Sequence, residues 1–462
     1  MSFTNKYTKA FKYLLPAPFT IAVSLTIITF LIAFFTTRPE AESVADYTIQ
    51  LLKYWEGGIW NSGLIVFAMQ MMLMLVLGHT LALTKPINSI INLAVKSCNN
   101  TAKAAALVTF LTVIVSLFNW GLGLIFGAIF ARKVGEHATK LNLNISYPLI
   151  GAAGYSGLMV WHGGLSGSSL AKVAEPGHLK EMMTGILSES QISTLPNSIS
   201  YSQTVGSSMN LFVMVLLVTL LPLAMYWVGK RVKYSAVNLS DNEIDEEKSQ
   251  LEGSEKLDHS RIFAWIFGGI VLFYIGYKIA VDYNYDLLKF FNPNNINLLL
   301  LSLAIIVHQN IFNFLKAIDK AIGGASGILI QFPLYFGIMG IMKSSGLVTD
   351  ISAFFVEVSN DTTYPIFTFI SAGLVNIFVP SGGGQWAVQG PIIVQAASDL
   401  GISLPKSIMA LAYGDQLTNM LQPFWALPLL GITELKAKEI LPYTIFLMLI
   451  GTLIYISGLL IF

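Results

Sequence analysis

One stretch, Asn376 to Pro391, reads NIFVPSGGGQWAVQGP and lies inside a long apolar tract. A helix in hydrocarbon must satisfy every backbone group within itself, and this composition opposes that. Pro380 lacks a donor, Gly382, Gly383 and Gly384 weaken a helix, and Ser381, Gln385 and Gln389 find no partner in lipid. Non-helical backbone at that depth persists only where protein buries it or where it lines a wet cavity. Two readings are open: a glycine-rich packing kink or extramembrane loop, and the tip of a re-entrant hairpin at a solute site.

The surroundings place this stretch in a membrane. Of 462 residues, 54% are hydrophobic and 11% charged, against about 25% charged in soluble domains. Mean hydropathy is +0.65. The chain therefore reads as a polytopic all-α membrane protein. Its first apolar run, Pro16–Thr37, follows Lys6, Lys9 and Lys12 and exceeds the core of a signal peptide, so it reads as a first span with a cytoplasmic N-terminus. The single cysteine, Cys98, excludes intrachain disulfides and cysteine-based metal clusters. A net charge of +1 gives no nucleic-acid footprint, and no nucleotide-binding glycine motif occurs.

Two interrupted tracts precede the glycine cluster. Residues 104–131 are apolar but broken at Asn119, Gly121 and Gly123, and residues 147–170 are crowded with His162, Gly163, Gly164, Ser166, Ser168 and Ser169. Counterparts follow: the tract 364–397 with the glycine cluster, and 405–431 with Asp415, Gln416, Thr418 and Asn419. Asn119 and Ile145 recur as Asn376 and Ile402 at one offset of 257 residues, which indicates an internal duplication. The division is 1–228, a polar cytoplasmic linker 229–261, and 262–462.

Charge sets the expected topology. With the N-terminus inside, a single crossing by 104–131 would put Arg132, Lys133 and Lys140 outside, against the positive-inside bias. A hairpin of two arms of about 14 residues returns them inside, and one continuous helix of about 28 residues would reach about 42 Å. The same bookkeeping makes 364–397 a hairpin from the outside. The expectation is an inverted repeat with two re-entrant hairpins, two broken helices and about 8–10 full spans, placing a solute site near the midplane.

The run PSGGGQWAVQGP, with WHGGLSGSS at 161–169, resembles the short-chain fatty acid transporter family, which includes acetoacetate and butyrate uptake proteins. The resemblance covers essentially the whole chain. It implies a secondary transporter of small monocarboxylates, not an enzyme, in the cytoplasmic (inner) membrane. No arginine is placed to clamp a carboxylate at the midplane, since all four (Arg38, Arg132, Arg231, Arg261) lie in loops or at span ends. The candidate anion site is therefore a half-helix N-terminus with close backbone approach. Its residues are Gly382, Gly383 and Gly384, with Ser381, Asn376, Gln385 and Gln389 as polar partners, Asn119, Gly121 and Gly123 as first-half counterparts, and the polar cluster 162–169. Trp386 and Trp120 are candidates for an alkyl tail or for packing.

Asp415 is the lone acid of its tract and reads as a Na⁺ ligand or proton carrier with Gln416, Thr418 and Asn419, or as a structural carboxylate. The expected partners are a small monocarboxylate, the bilayer, a Na⁺ or H⁺ coupling ion and, as an open alternative to a monomer, a second copy in a homodimer. Two other classes compete. Gly164-Leu165-Ser166-Gly167 matches the nucleophile motif of an intramembrane serine hydrolase, with His308 as its candidate base; a passive anion channel is the other.

Overall fold

The computed structural model describes residues 18–84, 94–184, 187–234, 253–286, 290, 293–360 and 362–462. Most of the polar linker expected at 229–261, residues 235–252, lies outside them. In chain order the helices are α1 Pro18–Thr36, α2 Val44–Ile59, α3 Ser62–Ala82, α4 Thr101–Phe118, α5 Trp120–Lys140, α6 Tyr147–Tyr155, α7 Ser168–Ala174 and α8 Ser208–Gly229. After the linker come α9 Arg261–Tyr277, α10 Pro293–His308, α11 Ile311–Ala321, α12 Ser326–Ser344, α13 Leu347–Glu357, α14 Tyr364–Phe378, α15 Gly382–Asp399, α16 Leu404–Thr418, α17 Leu427–Thr433 and α18 Ala437–Ile461. Short helices at His178–Met183, Glu189–Thr194 and Glu255–Asp258 join them.

Seven helices among the described residues are long and apolar enough to cross a membrane: α1, α3, α4, α8, α9, α12 and α18. The expected count of about 8–10 was higher, in part because the apolar stretch 297–314 reads in the sequence as one span. That span stops at His308, because Gln309 takes φ 67° and the Asn310 side chain caps a new helix at the Asn313 N–H, 2.7 Å away. The new helix, α11, buries Phe314, Ala317 and Ala321 on one stripe. The acidic stretch that follows α1, with Glu40, Glu42, Asp46 and Glu56, is helical from Val44. Ser43 caps α2, and Tyr47, Leu51 and Gly58 form its buried face.

The order of elements repeats: α1–α8 correspond in order to α10–α12 and α14–α18, with α9 between the two sets and α13 without a counterpart among the described residues. The two halves interleave. Helix α12 lies against α1 and α2, while α3 lies against α10 and α11. Each half then supplies a hairpin, α4–α5 or α14–α15, and a broken helix, α6–α7 or α16–α17. Peripheral α1 and α9 expose large apolar side chains such as Phe35 and Phe273 to the lipid side.

The first hairpin is longer than expected. Its arms have 18 and 21 residues, so it runs from Thr101 to Lys140 and not only 104–131. Helix α5 continues through its charges because they are paired inside the protein. Arg132 meets Glu136 at 3.1 Å and Glu434 at 2.9 Å, and donates to the Ile432 carbonyl at 2.7 Å; Lys133 meets Glu136 at 2.7 Å.

Helices α5 and α6 touch backbone to backbone. A Cβ on Gly127 would run into the Gly154 carbonyl and come within 2.8 Å of Thr112 Cγ2. Gly127→Ala is therefore expected to cost about 1–3 kcal/mol of stability. Gly269 on α9 has nothing within 4 Å, so Gly269→Ala is expected to be neutral or stabilising by up to about 1 kcal/mol. Thermal unfolding of both in detergent checks this. Equal melting temperatures would mean that the crossing is not tightly packed.

Candidate functional site

A helix break leaves N–H and C=O groups without partners, and in apolar surroundings these must be met by protein. Here the four breaks satisfy one another. In the first hairpin the break is the single residue Asn119, extended at φ −151°, whose side chain caps the Leu122 N–H at 3.0 Å. The Leu117 carbonyl accepts the Leu165 N–H at 2.8 Å, and Ser166 Oγ accepts the Trp120 N–H at 3.0 Å. The first hairpin tip is thus fastened to the gap between α6 and α7.

The second tip is fastened to the gap after α16 in the same manner. Asn376 Nδ2 donates to the Asp415 carbonyl at 2.6 Å and faces Thr418 Oγ1 and Asn419 Oδ1 at 3.0 Å each. Gln422 Nε2 returns to the Asn376 carbonyl. The two gaps then join each other. Gln416 Oε1 accepts the N–H groups of His162 and Gly163 at 2.8 and 3.0 Å, and Asn419 Nδ2 donates to the Leu158 carbonyl at 3.1 Å.

At this crossing His162 and Asp415 meet, with Nδ1 and Oδ2 2.6 Å apart and both residues buried. The contact is short but not aligned as a regular hydrogen bond, and neither atom has another partner. On the far side of the ring, Nε2 faces the Ser169 N–H at 3.1 Å and the Ser169 hydroxyl at 2.8 Å. A backbone N–H can only donate, so Nε2 is an acceptor and the ring proton sits on Nδ1, toward the carboxylate. Trp161 stacks on the imidazole at 4.5 Å between centroids. It continues into an aromatic cluster with Trp120 at 6.0 Å, and Trp120 meets Trp425 at 5.4 Å.

The glycine cluster opens α15 beside this pair. Ser381 caps the helix through the Gly384 N–H at 3.2 Å. A Cβ on Gly382 would lie 2.9 Å from His162 Cε1 and from the Trp161 ring, and 3.0 Å from Asp415 Oδ2. Gly383 is exposed, and a Cβ there would meet only Ser168 Cβ, at 4.0 Å. Gly382 and Gly383 carry the first N–H groups of the helix, where intrahelical acceptors are missing.

Other expected residues are turned elsewhere. Gln385 and Gln389 brace the two arms of their own hairpin: Gln385 Nε2 donates to the Ala372 carbonyl at 2.9 Å and to Gln389 Oε1 at 2.7 Å, and Gln389 Nε2 faces Ser371 Oγ at 3.2 Å. Trp386 is buried and donates to His178 Nε2 at 3.0 Å. Burial, then the nearby Lys172, holds the His178 pKa below the ordinary histidine value, which keeps that nitrogen an acceptor. Gly121 and Gly123 lie in the first turn of α5, where they are spaced against Met74 and Ser116. Asn210 was missed. It is buried in α8, donates to the Gly163 carbonyl at 2.9 Å and accepts from Tyr413 at 2.9 Å. A lone asparagine in an otherwise apolar span was the available signal.

The serine hydrolase arrangement does not form on Ser166, whose hydroxyl accepts the Trp120 N–H. His308 is bonded to the Thr80 carbonyl at 3.0 Å. Ser169 does face an imidazole, but it is fully buried and its own N–H is turned onto that ring. An acyl-transfer site needs N–H groups aimed at a developing oxyanion.

Two interlocked hairpins and two crossed broken helices, with a buried acid and histidine between them, define a polytopic membrane protein of transporter type. The chain belongs to the short-chain fatty acid transporter family, whose model matches residues 2–462. A protein of Escherichia coli (strain K12), provisionally named a short-chain fatty acid transporter, is 35% identical over 455 residues, covering 97% of this chain and 96% of its own. One of Haemophilus influenzae with the same provisional name is 34% identical over 466 residues, covering 99% and 97%. Among solved structures, the YdaH transporter of Alcanivorax borkumensis aligns at 13% identity and TM-score 0.40, covering 96% of this chain and 98% of that one. MtrF of Neisseria gonorrhoeae, described within a class of antimetabolite efflux pumps, aligns at 15% and 0.39, covering 98% and 97%. Likeness at that level assigns no role to any residue of this chain.

Proposed function

We propose that the protein is a proton-coupled secondary transporter of short-chain monocarboxylates, butyrate and acetoacetate among them, across the cytoplasmic membrane. The observation that carries this reading is the closeness of Gly382 to His162 and Asp415, which a Cβ there would approach to 2.9 and 3.0 Å. A carboxylate held on the Gly382 and Gly383 N–H groups lies within a few ångströms of Asp415. Two carboxylates that close do not both stay ionised. A proton carried on Asp415 would relieve that repulsion and so couple the anion to the proton.

A Na⁺ cage is less well supported. The side-chain oxygens of Gln416, Thr418 and Asn419 already accept hydrogen bonds that tie the breaks together. The aromatic cluster beside Trp161 suits a short alkyl tail. All these groups come from one chain, so a homodimer is not required for the site. The duplication and division into 1–228, 229–261 and 262–462, with a cytoplasmic N-terminus, suit alternating access around a midplane site.

Uptake of labelled butyrate and acetoacetate into proteoliposomes tests the reading. Accumulation is expected under an imposed proton gradient and not under a Na⁺ gradient. Accumulation driven by Na⁺ alone would overturn the proton assignment, and equilibration without accumulation would make the protein a channel.

A further inference from the structure

A cavity of about 450 Å³ opens between α2 and α12 and reaches the second hairpin, with Gly384 and Gln385 in its lining. Its wall is set by a backbone contact: a Cβ on Gly58 would come within 2.9 Å of Gly340 Cα and run into the Phe336 carbonyl. Such glycine crossings bring helices close enough for residues on both to share one recess. Two of those residues are Lys53 and Lys343. Both are exposed, neither is held by a carboxylate among the described residues, and no aspartate or glutamate lines the cavity. Glu56, one turn along α2, lies outside it and shares a neighbouring recess with Lys53.

We propose that this cavity is an anion vestibule. Lys53 and Lys343 hold the carboxylate of an incoming monocarboxylate by charge before it passes to the glycine cluster. The inference rests on the reading of that cluster as a carboxylate site. A recess lined by one sign of charge focuses the field and raises the local concentration of its counter-ion. Lysine suits such a waiting position better than arginine, since a mobile, hydrated ammonium attracts without a fixed bidentate clamp and so releases readily. The charge-based topology puts Lys53 and Lys343 on the same side, the outer one.

The test uses Ser344→Cys, on the cavity wall, in a Cys98→Ser background. Labelling rates are measured with an anionic and a cationic methanethiosulfonate of similar size. The anionic-to-cationic ratio is expected to fall about three- to tenfold in K53Q/K343Q and to be kept in K53R/K343R. Butyrate should slow labelling by a neutral reagent in the parent and not in K53Q/K343Q. In proteoliposomes at low salt, K53Q/K343Q should raise the butyrate KM several-fold with the maximal rate kept. The difference should shrink at high salt, where screening is stronger. An unchanged labelling ratio, or a changed ratio with an unchanged KM, overturns the vestibule. If the parent protein carries no monocarboxylate, the transport reading fails, and the labelling ratio with butyrate protection still decides the vestibule.

Discussion

Asp415→Asn is expected to abolish gradient-driven accumulation of butyrate while leaving butyrate exchange between the two sides of the membrane. Asparagine has the shape of the protonated acid and cannot ionise, so the carrier would bind its anion without needing or releasing a proton. It can still accept from His162 Nδ1, which the wild-type carboxylate approaches at 2.6 Å. Alanine is the wrong variant for this test. It would leave the Nδ1 side of a buried imidazole with nothing to face, at about 1–3 kcal/mol or more, and misfolding would imitate loss of coupling. The assay is paired: uptake under a proton gradient, and counterflow of labelled against unlabelled butyrate with no gradient. Full accumulation by a well-folded Asp415→Asn protein would make the residue structural.

The elements of the fold were legible because each interrupts an apolar tract that would otherwise be a plain span. Asn119 and the glycines at 163–164 and 382–384 mark real breaks, and Asp415 sits in the last turn of α16, just before one. The length of α5 was not legible, because the residues that neutralise its charges include Glu434, which lies in the other half of the chain. A single-sequence reading sees Arg132 and Lys133 as the edge of the membrane, whereas the structure buries both.

The chemistry was legible in its residue types but not in its pairing. His162 reads with the substrate cluster and Asp415 with the coupling ion, because sequence spacing within each broken helix says nothing of how the two cross. Gln385 and Gln389 do share one face of α15, as a spacing of four requires. That face is turned to the Ala372 carbonyl and Ser371 of the opposite arm. Polar groups one turn apart thus identified a buried face, and only the packing of α14 decided which groups the face would meet.

The three glycines are not equivalent, and this separates a binding role from a packing one. From the sequence, Gly383 is the centre of the cluster, and added bulk there should strain the backbone. The structure shifts that constraint to its neighbour. Gly383 does not have a positive φ and has open space where a Cβ would go, whereas a Cβ on Gly382 would press on His162, Trp161 and Asp415 at 2.9–3.0 Å. Gly382→Ala should therefore force the acid and imidazole apart and lower the butyrate transport rate by about tenfold or more, the equivalent of the ~1–3 kcal/mol that overpacking costs. Gly383→Ala should leave folding intact, and gain slightly in helix propensity. Gly383→Val should also fold, yet lose butyrate affinity, because the valine would occupy the space in which the carboxylate meets the helix N-terminus. The comparison needs affinity, transport rate and melting temperature measured on all three purified variants. Wild-type affinity in a well-folded Gly383→Val protein would move the anion away from this tip, and wild-type transport in Gly382→Ala would detach the glycine cluster from the proton pair.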